Sequence, residues 1–107
     1  MKIASVTLKD NREDKESTYT GVGRGPLEAV IHCLQQAIPL GIEFEDLELH
    51  SLTSGESAFG EAAVSIGLEN QTYRGTSMHQ DILLAAAQAY VSACNQAVQV
   101  TEKNAVQ

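Results

Sequence analysis

The sequence contains no tryptophan, only two phenylalanines and three tyrosines, two prolines and two cysteines in 107 residues. With so few aromatic side chains, the interior has to be built from valine, isoleucine, leucine and many alanines, a close-packed and helix-compatible set. Cys33 and Cys94 belong to no Cys-x-x-Cys motif and both fall in helical patterns, so they read as reduced, buried, small hydrophobes. His32, His50 and His79 are scattered without metal-ligand spacing, and neither a metal nor a cofactor is expected. Basic residues are scarce as well: seven against 14 acidic ones, for a net charge of −7. That balance repels phosphate backbones and anionic lipid, so neither nucleic acid nor membrane is an expected partner. No stretch approaches the length of apolar chain that spans a bilayer, and the start, MKIASVTLKD, shows no leader pattern; the expected location is the cytoplasm. No nucleophile and base stand at a readable spacing, and an enzyme is not expected.

Thr18 to Pro26 reads TYTGVGRGP, with glycines at every second position running into a proline. A dinucleotide fingerprint needs Gly-x-Gly-x-x-Gly, whereas Gly21, Gly23 and Gly25 are evenly spaced; a P-loop needs Lys-Ser or Lys-Thr where Pro26 and Leu27 stand. Both nucleotide readings are therefore weak.

The stretch occurs twice. Thr18-Tyr19-Thr20-Gly21 returns 54 residues later as Thr72-Tyr73-Arg74-Gly75. Upstream of each copy lies an alternating segment, Ala4 to Leu8 and Ala62 to Ile66, offset by 58, which aligns Ala4, Val6 and Leu8 with Ala62, Val64 and Ile66. Polar turns, Lys9 to Glu16 and Gly67 to Gln71, make each copy a β-hairpin. A helix follows each hairpin. The first opens at Pro26, carries Leu27, Val30, Ile31, Leu34 and Ile38 down one face, and ends at Pro39 and Gly41. The second runs from Ile82 to Val98, with Ser77 and Gln80 at capping-box spacing and Asp81 in its first turn. Asp46 to Thr53 is an extra strand between the copies, whose counterpart in a perfect duplication would precede Met1. The expected fold is α+β, ββα followed by βββα, with two helices packed on one face of the sheet and pseudo-two-fold symmetry. Residues 1–99 are expected to form a single domain and 100–107 a flexible tail.

The residues resemble a known family, the C-terminal regulatory domain of 2-isopropylmalate synthase, shared with citramalate synthase. Gly21, Gly23, Gly25 and Pro26 leading into Leu27-Glu28-Ala29 are similar to its first glycine loop. Leu52 to Glu61 is similar to its second signature, with Ser57 where many relatives carry an acidic residue. Gly75-Thr76-Ser77, Asp81-Ile82 and the helix through Ala89-Tyr90 to Asn95 resemble its last. The family's catalytic part is a TIM barrel, which 107 residues are too few to form.

The resemblance implies leucine or isoleucine as ligand, a homodimer, and a synthase catalytic domain as partner in cis or in trans. On the physical side, two helix N-termini introduced by glycine-bearing turns would make two quasi-equivalent pockets for a carboxylate. The candidate ligand-binding residues are Gly21, Gly23, Gly25, Pro26, Gly75, Ser77, Asp81 and Ile82, with Leu27 and Ile31 beside Ile82 as an apolar slot. Structural roles compete at each: positive φ at the glycines, an N-cap at Ser77, a dipole partner at Asp81. Gly23, read as a loop residue, is expected to accept an aspartate without loss of fold. A dimerisation module of the same fold without a ligand is the alternative reading.

Overall fold

The structure, a computed structural model, describes residues 2–10, 14–38, 41–54 and 57–105. Seven elements follow in the order β1 (Lys2–Asp10), β2 (Lys15–Gly23), α1 (Pro26–Ala37), β3 (Glu43–Ser54), β4 (Ser57–Leu68), β5 (Gln71–His79) and α2 (Ile82–Ala105). The α+β class and the ββα then βββα order hold. The strands divide between two antiparallel sheets, β1-β2 and β3-β4-β5, and the chain divides into two compact units, Met1–Ile38 and Pro39–Gln107. Each helix covers its own sheet.

In the first unit Ala4 pairs with Gly21, Val6 with Tyr19 and Leu8 with Ser17, and these positions share one face because side chains alternate along a strand. α1 lies on that face and buries Ala29, Val30, Cys33 and Leu34. The buried stripe is therefore rotated from the expected one: Leu27, Ile31 and Ile38 are only half-buried, because the small residues Ala29 and Cys33 take the positions nearest the sheet. Cys33 is free and buried, as expected, and its thiol donates to the carbonyl of Ala4 at 3.1 Å. Pro39, expected to end this helix, lies outside the described residues.

In the second unit β4 is the central strand and supplies Ala62, Val64 and Ile66 to the helix side. α2 answers with Ala85, Ala86, Ala89, Tyr90, Ala93, Cys94 and Ala97, a stripe recurring every three to four residues. Phe44 of β3 stacks on Tyr90 with ring centroids 5.6 Å apart, which gives the alanine-rich interface one large anchor. β4 turns into β5 through Glu69 and Asn70, both at positive φ (53° and 65°), as a two-residue turn matched to strand twist requires. α2 continues to Ala105, through the segment expected to be a tail. Thr101 to Ala105 holds no glycine or proline to stop it.

The hairpin registers correct the phase of the repeat. Ala4 pairs with Gly21 and Val64 pairs with Gly75, so Ala4 corresponds to Val64, an offset of 60 rather than 58. The TY-x-G offset of 54 stands. The first hairpin is thus longer at its tip by six residues, and the connection after Gly75 is longer than that after Gly21.

Candidate functional site

Gly21, Gly23 and Gly75 lie inside strands β2 and β5, not in turns, and the positive-φ glycine among the described residues is Gly41. Their role is proximity. A Cβ on Gly21 would stand 2.7 Å from both the Ala29 carbonyl oxygen and the Cys33 nitrogen. On Gly75 it would collide with the Ala89 carbonyl oxygen and stand 2.5 Å from the Ala93 nitrogen. Each strand glycine is a seat on which one turn of helix backbone rests. Gly23 is a similar seat: a Cβ there would stand 2.6 Å from the Ala29 nitrogen, so an aspartate at this buried position disrupts helix packing, contrary to the expectation from sequence.

Gly25 differs from the others. It is the residue before α1, extended at φ −132°, and a Cβ there would meet nothing within 4 Å. Its carbonyl accepts from Ala29 at 3.1 Å, the first bond of the helix. Pro26 occupies the first turn and brings no N–H, no side chain caps the helix, and the N–H groups of Leu27 and Glu28 precede the first intrahelical donor. Such an end attracts an anion and gives it two donors.

The entrance of α2 is built otherwise. Asp81 is its N-cap: Oδ1 accepts from Leu83 N at 2.9 Å and from Leu84 N at 3.4 Å, and the Asp81 carbonyl accepts from Ala85 N at 3.0 Å. The Asp81 N–H in turn donates to His79 Nδ1 at 3.0 Å. The positive end of α2 already carries a carboxylate, so the two pockets expected to be equivalent are not. Ser77 is not the cap, since β5 runs on through His79 and carries Ser77 within the sheet, where its hydroxyl donates to Gln88 Oε1 at 2.7 Å. Ile82 is half-buried against β4; a Cβ on Gly60 would collide with its Cδ1. The structure thus groups Gly25, Pro26 and Leu27 at the mouth of α1, and separately Ser77, Asp81 and Ile82 around the start of α2. Ser57 falls in β4, with its side chain outside the described residues.

Charge elsewhere in the second unit is local. Arg74 reaches Glu48 at 3.2 Å on the exposed sheet face, and that hydrogen bond and charge hold the Glu48 carboxyl below its ordinary range. Burial pushes the Tyr90 phenol up to about 12, with the neighbouring Cys94 adding to it, and pushes the Cys94 thiol up to about 11. A cavity of about 320 Å³ at the hairpin end of this unit is bordered by Glu43, Glu45 and Glu69 and does not suit a carboxylate. Among the described residues no group of histidine, cysteine, aspartate and glutamate could hold a metal ion, and no helix is long and apolar enough to cross a membrane.

Comparison with known proteins accounts for nearly the whole chain. Residues 1–98 match the family model described as the LeuA allosteric (dimerisation) domain. The chain is 35% identical over 103 residues to 2-isopropylmalate synthase of Prochlorococcus marinus strain MIT 9312, covering 96% of this chain and 19% of that protein. The corresponding protein of Synechococcus sp. strain CC9311 is 37% identical over 95 residues, 89% of this chain and 17% of its own length. That of Crocosphaera subtropica is 35% identical over 92 residues, 86% and 17%. The chain therefore spans less than a fifth of the curated relatives it matches. Because the match runs through both hairpins, both seated helices and the strand between them, the chain belongs to the LeuA allosteric (dimerisation) domain family.

Proposed function

We propose that the chain is an amino-acid-binding regulatory domain that takes leucine or isoleucine and transmits its presence to a synthase catalytic domain, in cis or in trans, as a cytoplasmic feedback sensor of branched-chain amino-acid synthesis. The observation that carries this reading is the mouth of α1: a helix N-terminus with no side-chain cap, beside a glycine with open space around it, in a family described as allosteric. The ligand's carboxylate lies on the Leu27 and Glu28 amides, Gly25 and Pro26 let it approach, and Leu27 supplies the first apolar contact. Gly21, Gly23 and Gly75 act behind this, by fixing where the helices sit. A dimerisation module without a ligand is the second reading, favoured by the cap at α2, where Asp81 fills the place a ligand carboxylate would take.

A thermal melt with leucine, isoleucine, valine and alanine in turn tests the proposal. A ligand at a hundred times its dissociation constant adds roughly 2.7 kcal/mol to the native state, a rise in Tm on the order of 10 °C for a domain of this size. Gly25→Asp should fold and lose the response, since the new carboxylate occupies the anion position. No shift with any amino acid favours the ligand-free module; an equal shift in Gly25→Asp moves the site away from α1.

A further inference from the structure

His32, His50 and His79 hold their rings by different contacts, and those contacts fix how each answers a proton. His32 turns Nδ1 to the Val22 carbonyl at 2.6 Å, and because a carbonyl only accepts, that nitrogen carries the hydrogen. Its Nε2 stands 4.0 Å from Glu28 Oε1, so a second proton on this ring keeps the first bond and adds an attraction. His50 likewise has its Nε2 3.7 Å from Glu48 Oε2. His79 is the opposite case. The Asp81 N–H donates to its Nδ1 at 3.0 Å, so Nδ1 offers a lone pair and the ring hydrogen sits on Nε2. A further proton enters only at Nδ1, where it faces the Asp81 N–H and abolishes the bond.

The residue held in this way is the cap of α2, whose Oδ1 accepts from Leu83 N and Leu84 N. His79 is half-buried on the face that turns Gly75 and Ser77 toward α2. β4 sets Gly60 opposite it, while Glu61, and His50 beyond it, stand in register with Met78 on the other face. α2 has no charged residue before Glu102, and its Tyr90 and Cys94 lie deeper along the helix. Among the described residues, the charged group facing the ring is therefore the Asp81 carboxylate. We propose that His79 is a proton-operated latch on the entrance of α2. Neutral, it holds Asp81 in the capping position. Protonated, it releases the Asp81 N–H and draws the carboxylate off the Leu83 and Leu84 amides toward the imidazolium. α1, which begins without a side-chain cap, has nothing for a proton to release. The latch is independent of the amino-acid ligand proposed above.

NMR of the unsubstituted chain between about pH 8 and about pH 5, the range in which an imidazole takes up a proton, tests it. At the upper end His79 should show the Nε2–H tautomer and His32 the Nδ1–H one. As pH falls, the Leu83 and Leu84 amides should move along the His79 ring's own titration curve. Their protection against hydrogen exchange should drop about fivefold, what one helix cap is worth. His79→Asn replaces the ring with a carbonyl oxygen that accepts from Asp81 N at every pH in this range, so there the two amides should stay in place. Should that variant fail to fold, the tautomer and the titration of the unsubstituted chain decide alone. An Nδ1–H tautomer at His79 overturns the proposal, as does a ring that stays neutral throughout. Leu83 and Leu84 amides that keep still while the ring titrates also overturn it, as do amides that follow pH unchanged in folded His79→Asn.

Discussion

The two units seat a helix on a strand in the same way, Gly21 beneath Ala29 and Cys33 and Gly75 beneath Ala89 and Ala93, yet they lead the chain into that helix by different routes. In the first unit, β2 ends at Gly23 and, after the two residues Arg24 and Gly25, α1 begins uncapped. In the second, β5 runs on to His79 and Asp81 closes the end of α2. Duplication has preserved the part that stabilises each unit, which is backbone proximity, and has let the helix entrance diverge. Where the entrance is filled by the chain's own carboxylate, the unit is structurally complete. The unfilled entrance is the one to which the proposed ligand is assigned.

The common joint should be the most sensitive place in either unit. Gly75→Ala and Gly21→Ala each push a methyl into helix backbone that cannot yield without moving the helix, and a loss on the order of 3 kcal/mol is expected in chemical denaturation. Gly25→Ala should stay within about 0.5 kcal/mol, because its Cβ enters open space. Equal costs at all three positions would break the comparison at its root.

A smaller difference separates the cores. By the helix offset, Tyr90 and Cys94 of α2 correspond to Val30 and Leu34 of α1, so at this pair of positions only the second unit buries groups that ionise in alkali. Both native values are raised, to about 12 and about 11. The folded chain therefore holds these protons after the unfolded chain has lost them. Stability is full below about pH 9 and falls as pH rises toward 12, by up to about 1.4 kcal/mol per pH unit for each group. Tyr90→Phe should flatten the fall above pH 10 when unfolding is followed against pH. An unchanged slope would show that the phenol is hydrated in the native state.

The caps give the finest distinction. Asp81→Ala should cost about 1 kcal/mol, while Gly25→Asp should add about 0.5 kcal/mol by giving α1 the cap that α2 already has. If both changes destabilise, the α1 entrance is not open in the way described.

Much of this was legible in the chain. Alternation in Ala4–Leu8, the duplicated TY-x-G and the helical stripes were enough for the class, the element order and the existence of two copies. The phase of the repeat was not, because an alternating Ala-x-Val-x-Leu segment aligns equally well with Ala62–Ile66 or with Val64–Leu68, and only closure of the Glu69-Asn70 turn selects the second. Gly21 and Gly75 read as turn glycines because sequence alone does not separate a glycine that bends from one that makes room. The discriminating signal was the pair of small residues one turn apart in each helix, Ala29 with Cys33 and Ala89 with Ala93. Ser77 had capping-box spacing, but the strand pattern through Met78 and His79 outweighs it, and Asp81, one residue before the helix, takes the cap.

The difference between the two helix entrances is tested most directly by following the backbone amides of the intact chain by NMR while leucine, and separately isoleucine, is added. The expected result is a saturating shift of the Leu27 and Glu28 amides at the mouth of α1, with Leu83 and Leu84, held by Asp81, left in place. Shifts centred on Leu83 and Leu84, or none at Leu27 and Glu28 with either amino acid, would contradict the account.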